Sequence, residues 1–507
     1  MRLVSTPLAA PVGLPSPRPC GADARLFEAV VAPHAVAGSL ERLREPGAVA
    51  VTTGQQPGLF TGPLYTVFKA LSAAALAREL ETVWQRPVVP VFWLATDDHD
   101  FAESNHAAWL ASDGTLRECV LRERPADAPM LPMYREPLGP EVETALAQLA
   151  ADLDGASSKD DVLAWLRRHY RPEATVGAAY AGALAELLAP YGVVCLDASH
   201  RALKQQAAPL LMEALAKSAA MEAPLTALAA ELAARRVDPG VAVGEGATLV
   251  FLEGAQGRDR LVRQGEAFVA RRSGERFTMA ELAAIAAAEP ERLSPNVLLR
   301  PVVESRLLPT VAYVAGPGEL RYLALTPPVY EALGVARQLP VPRWSGLIVE
   351  PRVDRVLAKF GIELDELLEA EGVAEARIVR DQLPEDVTGP IGRLRDAIER
   401  EYTALANGAA SVDPTLEKSV LGSRGQALHG LQDVEKKVVQ HLKRRRETEL
   451  AQVARARAAV RPGGRPQERV VTVGSFLARL GPGLLDALLA EIGAWYARTL
   501  EAPVRVS

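Results

Sequence analysis

The sequence predicts an α/β fold: a mainly parallel sheet flanked by helices, followed by a C-terminal helical hairpin. Three observations carry this. Short apolar runs alternate with helical patterns through residues 1–375, as in successive βα units. Runs such as Val88–Leu94 are nearly continuous rather than alternating, as strands covered on both faces require. Beyond residue 375 the strand-like runs give way to two apolar seams at three- and four-residue spacing, the period of helices packed against each other.

Ala48–Thr52 is the first strand, and Pro63–Leu80 the helix after it, with proline in the first turn, where its missing N–H is harmless. Val88–Leu94 is the second strand. Residues 120–190 are mostly helical with polar breaks and form an insertion between sheet strands. Gly192–Leu196 is a further buried strand, followed by helix Arg201–Ala216. Thr248–Glu253 and Arg260–Arg263 flank Gly254-Ala255-Gln256-Gly257 as a β-hairpin, which Glu266–Arg272 extends. Val311–Ala315 is a buried strand running into Gly316-Pro317-Gly318-Glu319, and Leu320–Leu325 is a helix or a strand. Ile391, Leu394, Ile398, Tyr402 and Leu405 form one seam, broken at Asn407-Gly408; Ala427, Leu431, Val434, Val438 and Leu442 form the other. Two such seams read as an antiparallel hairpin or coiled coil. Residues 461–468 read as a linker, and Leu484–Tyr496 as an amphipathic helix returning to the core. The expected domains are thus a core over 1–375 with insertions at about 120–190 and 205–290, a helical hairpin over 376–460, and a returning segment over 461–507.

At 507 residues the chain is too long for one ordinary core. A formal charge of −6 argues against a nucleic-acid partner, and the basic run Lys443–Arg446 reads as a solvated helix face. No charge-free apolar stretch reaches the roughly 18 residues of a membrane span. The proline-rich start argues against a signal peptide, so the cytoplasm is the expected compartment. Cys20, Cys119 and Cys195 form no CxxC pair and read as ordinary reduced thiols.

Two clusters carry the chemistry, each at the carboxyl end of a predicted strand, where an open α/β sheet forms its ligand crevice. The first holds Gly54, Gln55, Gln56, Thr61, Gly62 and Tyr65, with Lys69 on the following helix. Glycines let backbone N–H groups approach an anion, and a helix N-terminus adds partial positive charge. Neither GxxxxGK[ST] nor GxGxxG is present, so this is no P-loop or dinucleotide fingerprint. The second cluster sets Asp97, Asp98, His99 and Asp100 side by side, with Asn105 and His106 after them. Carboxylates this close repel one another and suit a substrate ammonium, a general base or Mg²⁺ beside a nucleotide; the plainer role is N-capping of a short helix. The spacing of His99 and His106 matches no standard zinc motif, and no resident metal is expected. A third segment, Leu293–Glu319, adds Asn296, Arg300, Gly316 and Gly318. Arg300 suits either a carboxylate or phosphate ligand or an internal salt bridge, and Glu304 is a possible pocket group.

GQQPGLFTGPLYTVFKALSAAALA, VPVFWLATDDHDFAESNH, LSPNVLLRPVVESRLLPTVAYVAGPGE and RPQERVVTVGSFLARLGPGLLDAL resemble the signature segments of the cysteine-adding enzymes of bacillithiol biosynthesis, the cysteine ligase family. The resemblance covers nearly the whole chain. It implies a Rossmann-like, nucleotidyltransferase-like core with connecting insertions and a C-terminal coiled coil through which members dimerise. It implies joining of L-cysteine to the amino group of glucosaminyl-malate, the last step of bacillithiol synthesis. A free carboxylate is a poor electrophile, so ATP with Mg²⁺ is the expected activating cosubstrate. On this reading the Gly54–Gly62 turn and Lys69 hold phosphates, Arg300 meets a malate carboxylate, and the acidic cluster binds the cysteine ammonium or deprotonates the amine, with His99 a base near neutral pH. Alternatives are a synthetase-like or nucleotidyltransferase-like enzyme with another acid and amine, a nucleotide-sugar glycosyltransferase, or a non-catalytic dimeric scaffold.

Overall fold

The computed structural model describes residues 1–6, 12–13, 22–381 and 383–501. Cys20 lies outside the described residues, as does the side chain of Lys443. Cys119 and Cys195 are free and buried.

β1 (Val49–Gln55) opens the central sheet. Helix α1 (Tyr65–Trp84) follows, starting two residues later than the sequence suggests. Pro63 stands outside it because the C-terminal segment holds the chain there: Pro63 bridges Thr472 and Leu64 N–H donates to Val471 O at 2.9 Å. The helix also runs past Leu80 to Trp84, stopping where Gln85 turns left-handed at φ 51°. β2 (Val88–Leu94) is buried throughout. The insertion after it carries helices Glu141–Asp152, Lys159–His169 and Val176–Leu188. β3 (Val194–Asp197) returns to the sheet, and α2 (Arg201–Ala216) covers it.

A second insertion holds the hairpin β4 (Ala247–Gly254) and β5 (Gly257–Gln264). Ala267–Ala270, Arg276–Phe277 and Leu293–Pro295 complete a separate five-stranded antiparallel sheet with it. α3 (Arg300–Leu307), β6 (Thr310–Ala315), α4 (Pro317–Leu323) and β7 (Leu339–Pro342) close the core. Residues 317–323 are thus helical, with Glu319 bonding back to Gly316 N–H.

The central sheet runs β7-β6-β1-β2-β3, all parallel. The chain leaves β1 toward β2 and β3, then returns to the other side of β1 with β6. That reversal opens a crevice beyond the carboxyl ends of β1 and β6, the place where such sheets bind ligands.

From Pro351 on, the described chain is mainly helical. α5 (Glu385–Val412) and α6 (Pro414–Arg445) form the antiparallel hairpin. Asn407-Gly408 does not break α5. A single helical glycine costs only about 1 kcal/mol, which packing against α6 offsets. The turn falls instead at Asp413, whose carboxylate accepts Thr415 N–H at 2.8 Å, with Pro414 opening the next helix. α7 (Glu447–Val460) leads back to the core, where α8 (Gly483–Thr499) packs along α1. The supposed linker 461–468 is in part a buried joint. Gln467 bonds both the N–H and C=O of Ile348, and Glu468 is ion-paired to Arg343.

Candidate active site

The crevice is a cleft of about 590 Å³. Its floor is the end of β1. Gly54 is needed there: a Cβ would lie 2.7 Å from the Trp93 carbonyl oxygen of β2, closer than any side chain tolerates. Gln55, Gln56 and Tyr65 line the cleft beside it. Burial, then the charges of Glu103 and Glu319, push the Tyr65 phenol up to about 12, so it stays protonated and can donate.

Lys69 is buried under this floor. Its ammonium donates to Gly54 O and to Gln55 Oε1 (2.9 Å) and sits 2.6 Å from Glu319 Oε2. Glu319 also accepts Tyr313 OH (2.7 Å) and Gly316 N–H (2.8 Å). Burial alone would raise Glu319; Lys69 and the Gly316 N–H outweigh it and hold the carboxyl low, while burial outweighs the attraction of Glu319 and lowers Lys69. Arg300 is similarly committed, to Glu304 (2.7 Å) and Tyr313 OH (2.9 Å). Of its two sequence readings, the internal salt bridge is the one observed. Gly316 and Gly318 line the cleft above this network.

The opposite wall follows β2. Asp97 is buried against Lys204 of α2 at 2.6 Å. Burial pushes its carboxyl up, but Lys204 and Arg258 pull harder and keep it below the usual range. Asp97 therefore anchors the loop. Asp98 is partly open, and its carboxylate accepts the N–H groups of His99 (2.6 Å) and Asp100 (3.0 Å). His99 Nδ1 accepts a hydrogen bond from the Arg258 guanidinium at 3.0 Å. Burial and that positive charge lower His99 to about 4. It is neutral at pH 7, but a weak base rather than one tuned to neutral pH. Arg258 itself is fixed by Ser294 Oγ and Pro295 O, both at 2.8 Å, and lies over the Phe251 ring.

Asn296 lines the cleft while its side chain accepts Leu298 and Leu299 N–H groups at 3.0 Å. The remaining sequence candidates lie outside the cleft lining. Asp100 caps the short helix Phe101–Ser104 through Glu103 N–H. Asn105 bonds Arg122 O, and exposed His106 bonds Ala102 O. Thr61 N–H donates to Tyr170 OH, and Thr61 and Gly62 both adopt positive φ in the kink before α1. Sequence reasoning missed Lys204, Arg258 and Arg469 as partners of this cleft. The alternating charges of Gly257-Arg258-Asp259-Arg260 are a weak signal; nothing local ties Lys204 to a carboxylate 107 residues away.

Residues 25–344 match the family described as bacillithiol biosynthesis BshC, N-terminal Rossmann-like domain, and residues 346–494 match its C-terminal coiled-coil domain. The chain belongs to the BshC family. Its relatives include "Putative cysteine ligase BshC" of Prosthecochloris aestuarii, 31% identical over 90% of this chain and 83% of that protein. The proteins of the same name from Koribacter versatilis and Symbiobacterium thermophilum are each 33% identical, over 91% and 90% of this chain and 85% and 84% of theirs. This BshC chain is accordingly a ligase of bacillithiol biosynthesis, and the cleft at the β1/β6 reversal is its candidate active site.

Proposed function

We propose that the cleft joins the carboxylate of L-cysteine to the amino group of glucosaminyl-malate, the final step of bacillithiol synthesis. The observation that carries this reading is the charge pattern of the cleft. Arg260, Arg321 and Arg469 line it without an ion-pair partner among the described residues, while Asp98 offers a partly open carboxylate on the facing wall. Free guanidinium groups suit the two carboxylates of a malyl group and the phosphates of a nucleotide. A carboxylate without an Arg or Lys partner suits the cysteine ammonium, or takes the proton of the attacking amine, which must be neutral to attack.

Forming the amide requires an activated acyl group, and ATP with Mg²⁺ is the proposed cosubstrate. The chemistry ATP supplies is conversion of a carboxylate oxygen into a leaving group. Among this chain's residues, Tyr65 and the Gly318 N–H in the first turn of α4 would orient such a ligand. Lys69 supports the floor rather than reaching a phosphate, because its hydrogen bonds go to Gly54, Gln55 and Glu319. The proposed assembly is a homodimer through the α5–α6 hairpin, in the cytoplasm. No single helix among the described residues is long and apolar enough to cross a membrane.

Purified protein incubated with cysteine, glucosaminyl-malate and MgATP, with each omitted in turn, tests the reading by mass spectrometry. Bacillithiol that requires protein and ATP is the expected result. Product without ATP would replace ATP by an already activated cysteine donor. No product from folded protein under either condition would sink the substrate assignment.

A further inference from the structure

The motif RPQERVVTVGSF is absorbed by neither the sheet nor the hairpin, yet it reaches the cleft. Within it, Gln467 and Glu468 are buried and Arg469 is exposed. Gln467 is held by three hydrogen bonds, two to Ile348 and one to Ala459 O at 2.6 Å. Glu468 is paired with Arg343, itself almost fully buried, and accepts Ser345 Oγ at 2.7 Å. Arg343 also donates to Trp344 O. It lines the cleft with its charge already balanced by Glu468. Arg469 is the opposite case. It stands directly after two pinned residues, lines the cleft, and makes no ion pair or side-chain hydrogen bond among the described residues. Its charge reaches Tyr65 at the start of α1. A guanidinium on a rigid base with no internal partner loses little on binding an anion.

We propose that Arg469 is a substrate-binding residue, delivered to the Rossmann-like cleft by the C-terminal domain, and that it recognises an anionic oxygen group of carboxylate or phosphate type. The inference builds on the proposed ligase reading, in which all three substrates carry such groups: the carboxylate of cysteine, the malyl end of the amine and the phosphates of the nucleotide. The C-terminal domain then completes the site as well as carrying the hairpin.

The test compares the full-length parent with Arg469→Ala and Arg469→Lys. Loss of one charge-assisted contact predicts a rise of about 10- to 100-fold in KM for one substrate, with partial rescue by Lys, which keeps the charge but not the fork. The melting temperature should stay unchanged, because the side chain makes no ion pair or hydrogen bond among the described residues. A rise confined to glucosaminyl-malate assigns the group to the malyl carboxylates, one confined to ATP assigns it to phosphate, and one confined to cysteine assigns it to the cysteine carboxylate. Calorimetric titration of L-malate and of ATP into parent and Arg469→Ala gives a readout independent of turnover. If the parent makes no bacillithiol but binds either anion at least tenfold more tightly than Arg469→Ala, the ligase reading fails and this one stands. Equal binding and equal KM values in both proteins would overturn it, as would a parent that binds neither anion.

Discussion

Asp97 and Asp98 are neighbours with opposite fates, decided by what each side chain meets. Asp97 is buried on Lys204, whereas Asp98 faces the cleft with its carboxylate accepting, among the described residues, only its own loop's N–H groups. Asp98→Ala should therefore lower turnover at least 100-fold in the bacillithiol assay while shifting the melting temperature by no more than a few degrees. Near-parental turnover would remove Asp98 from the mechanism. His99 makes a pH prediction. Its folded value of about 4 lies below the ordinary 6.5, so between these two values the unfolded chain binds more protons than the folded one. Stability then rises with pH across that window and levels off above it. In His99→Gln that part of the slope should vanish, which melting curves of the two proteins between pH 4 and 7 would reveal; identical slopes would refute it. The DDHD cluster was legible because three carboxylates in four residues stand out in any sequence. The division of labour inside it was not, since Lys204 and Arg258 arrive from distant elements.

Among the elements, the buried strands were the most readable, because continuous apolar runs have few other uses: Val88–Leu94 is the observed strand to the residue. The ends of α1 and α5 were less so. Tertiary packing decides both, through the Pro63–Thr472 bridge in one and α6 in the other. The hairpin also leaves Leu405 and Val434 more than half exposed, at 58% and 52%, with Leu394, Val412 and Leu416 exposed on the same pair of helices. Large apolar side chains so placed fit a helix–helix interface. The double substitution Leu405→Glu, Val434→Glu should convert a dimeric parent to a monomer in sedimentation velocity, with little loss of thermal stability. A parent that sediments as a monomer at micromolar concentration would end the dimer proposal.

At the scale of the molecule, the two family domains are joined through buried charge. Arg343, just past β7, pairs with Glu468 beyond α7, and neither partner has water to fall back on. Glu468→Gln leaves Arg343 charged and uncompensated, which should cost about 3–5 kcal/mol in urea unfolding. A loss under about 1 kcal/mol would show that the joint is not structural. Residues 461–468 looked like a linker because proline and glycine dominate the stretch; the adjacent Gln467 and Glu468 find partners more than 100 positions earlier, which no local pattern announces. The packing of α8 on α1 has a consequence for how the protein is made. About 400 residues separate Trp84 from Gly483. At roughly 5–20 residues per second, a ribosome takes on the order of 20–80 s to cover that distance. For that interval the apolar flank of α1 has emerged from the ribosome without its cover. The nascent chain is thus exposed to aggregation until nearly the last helix is synthesised, and a transcript truncated before α8 would yield a product for the cell's chaperones and proteases.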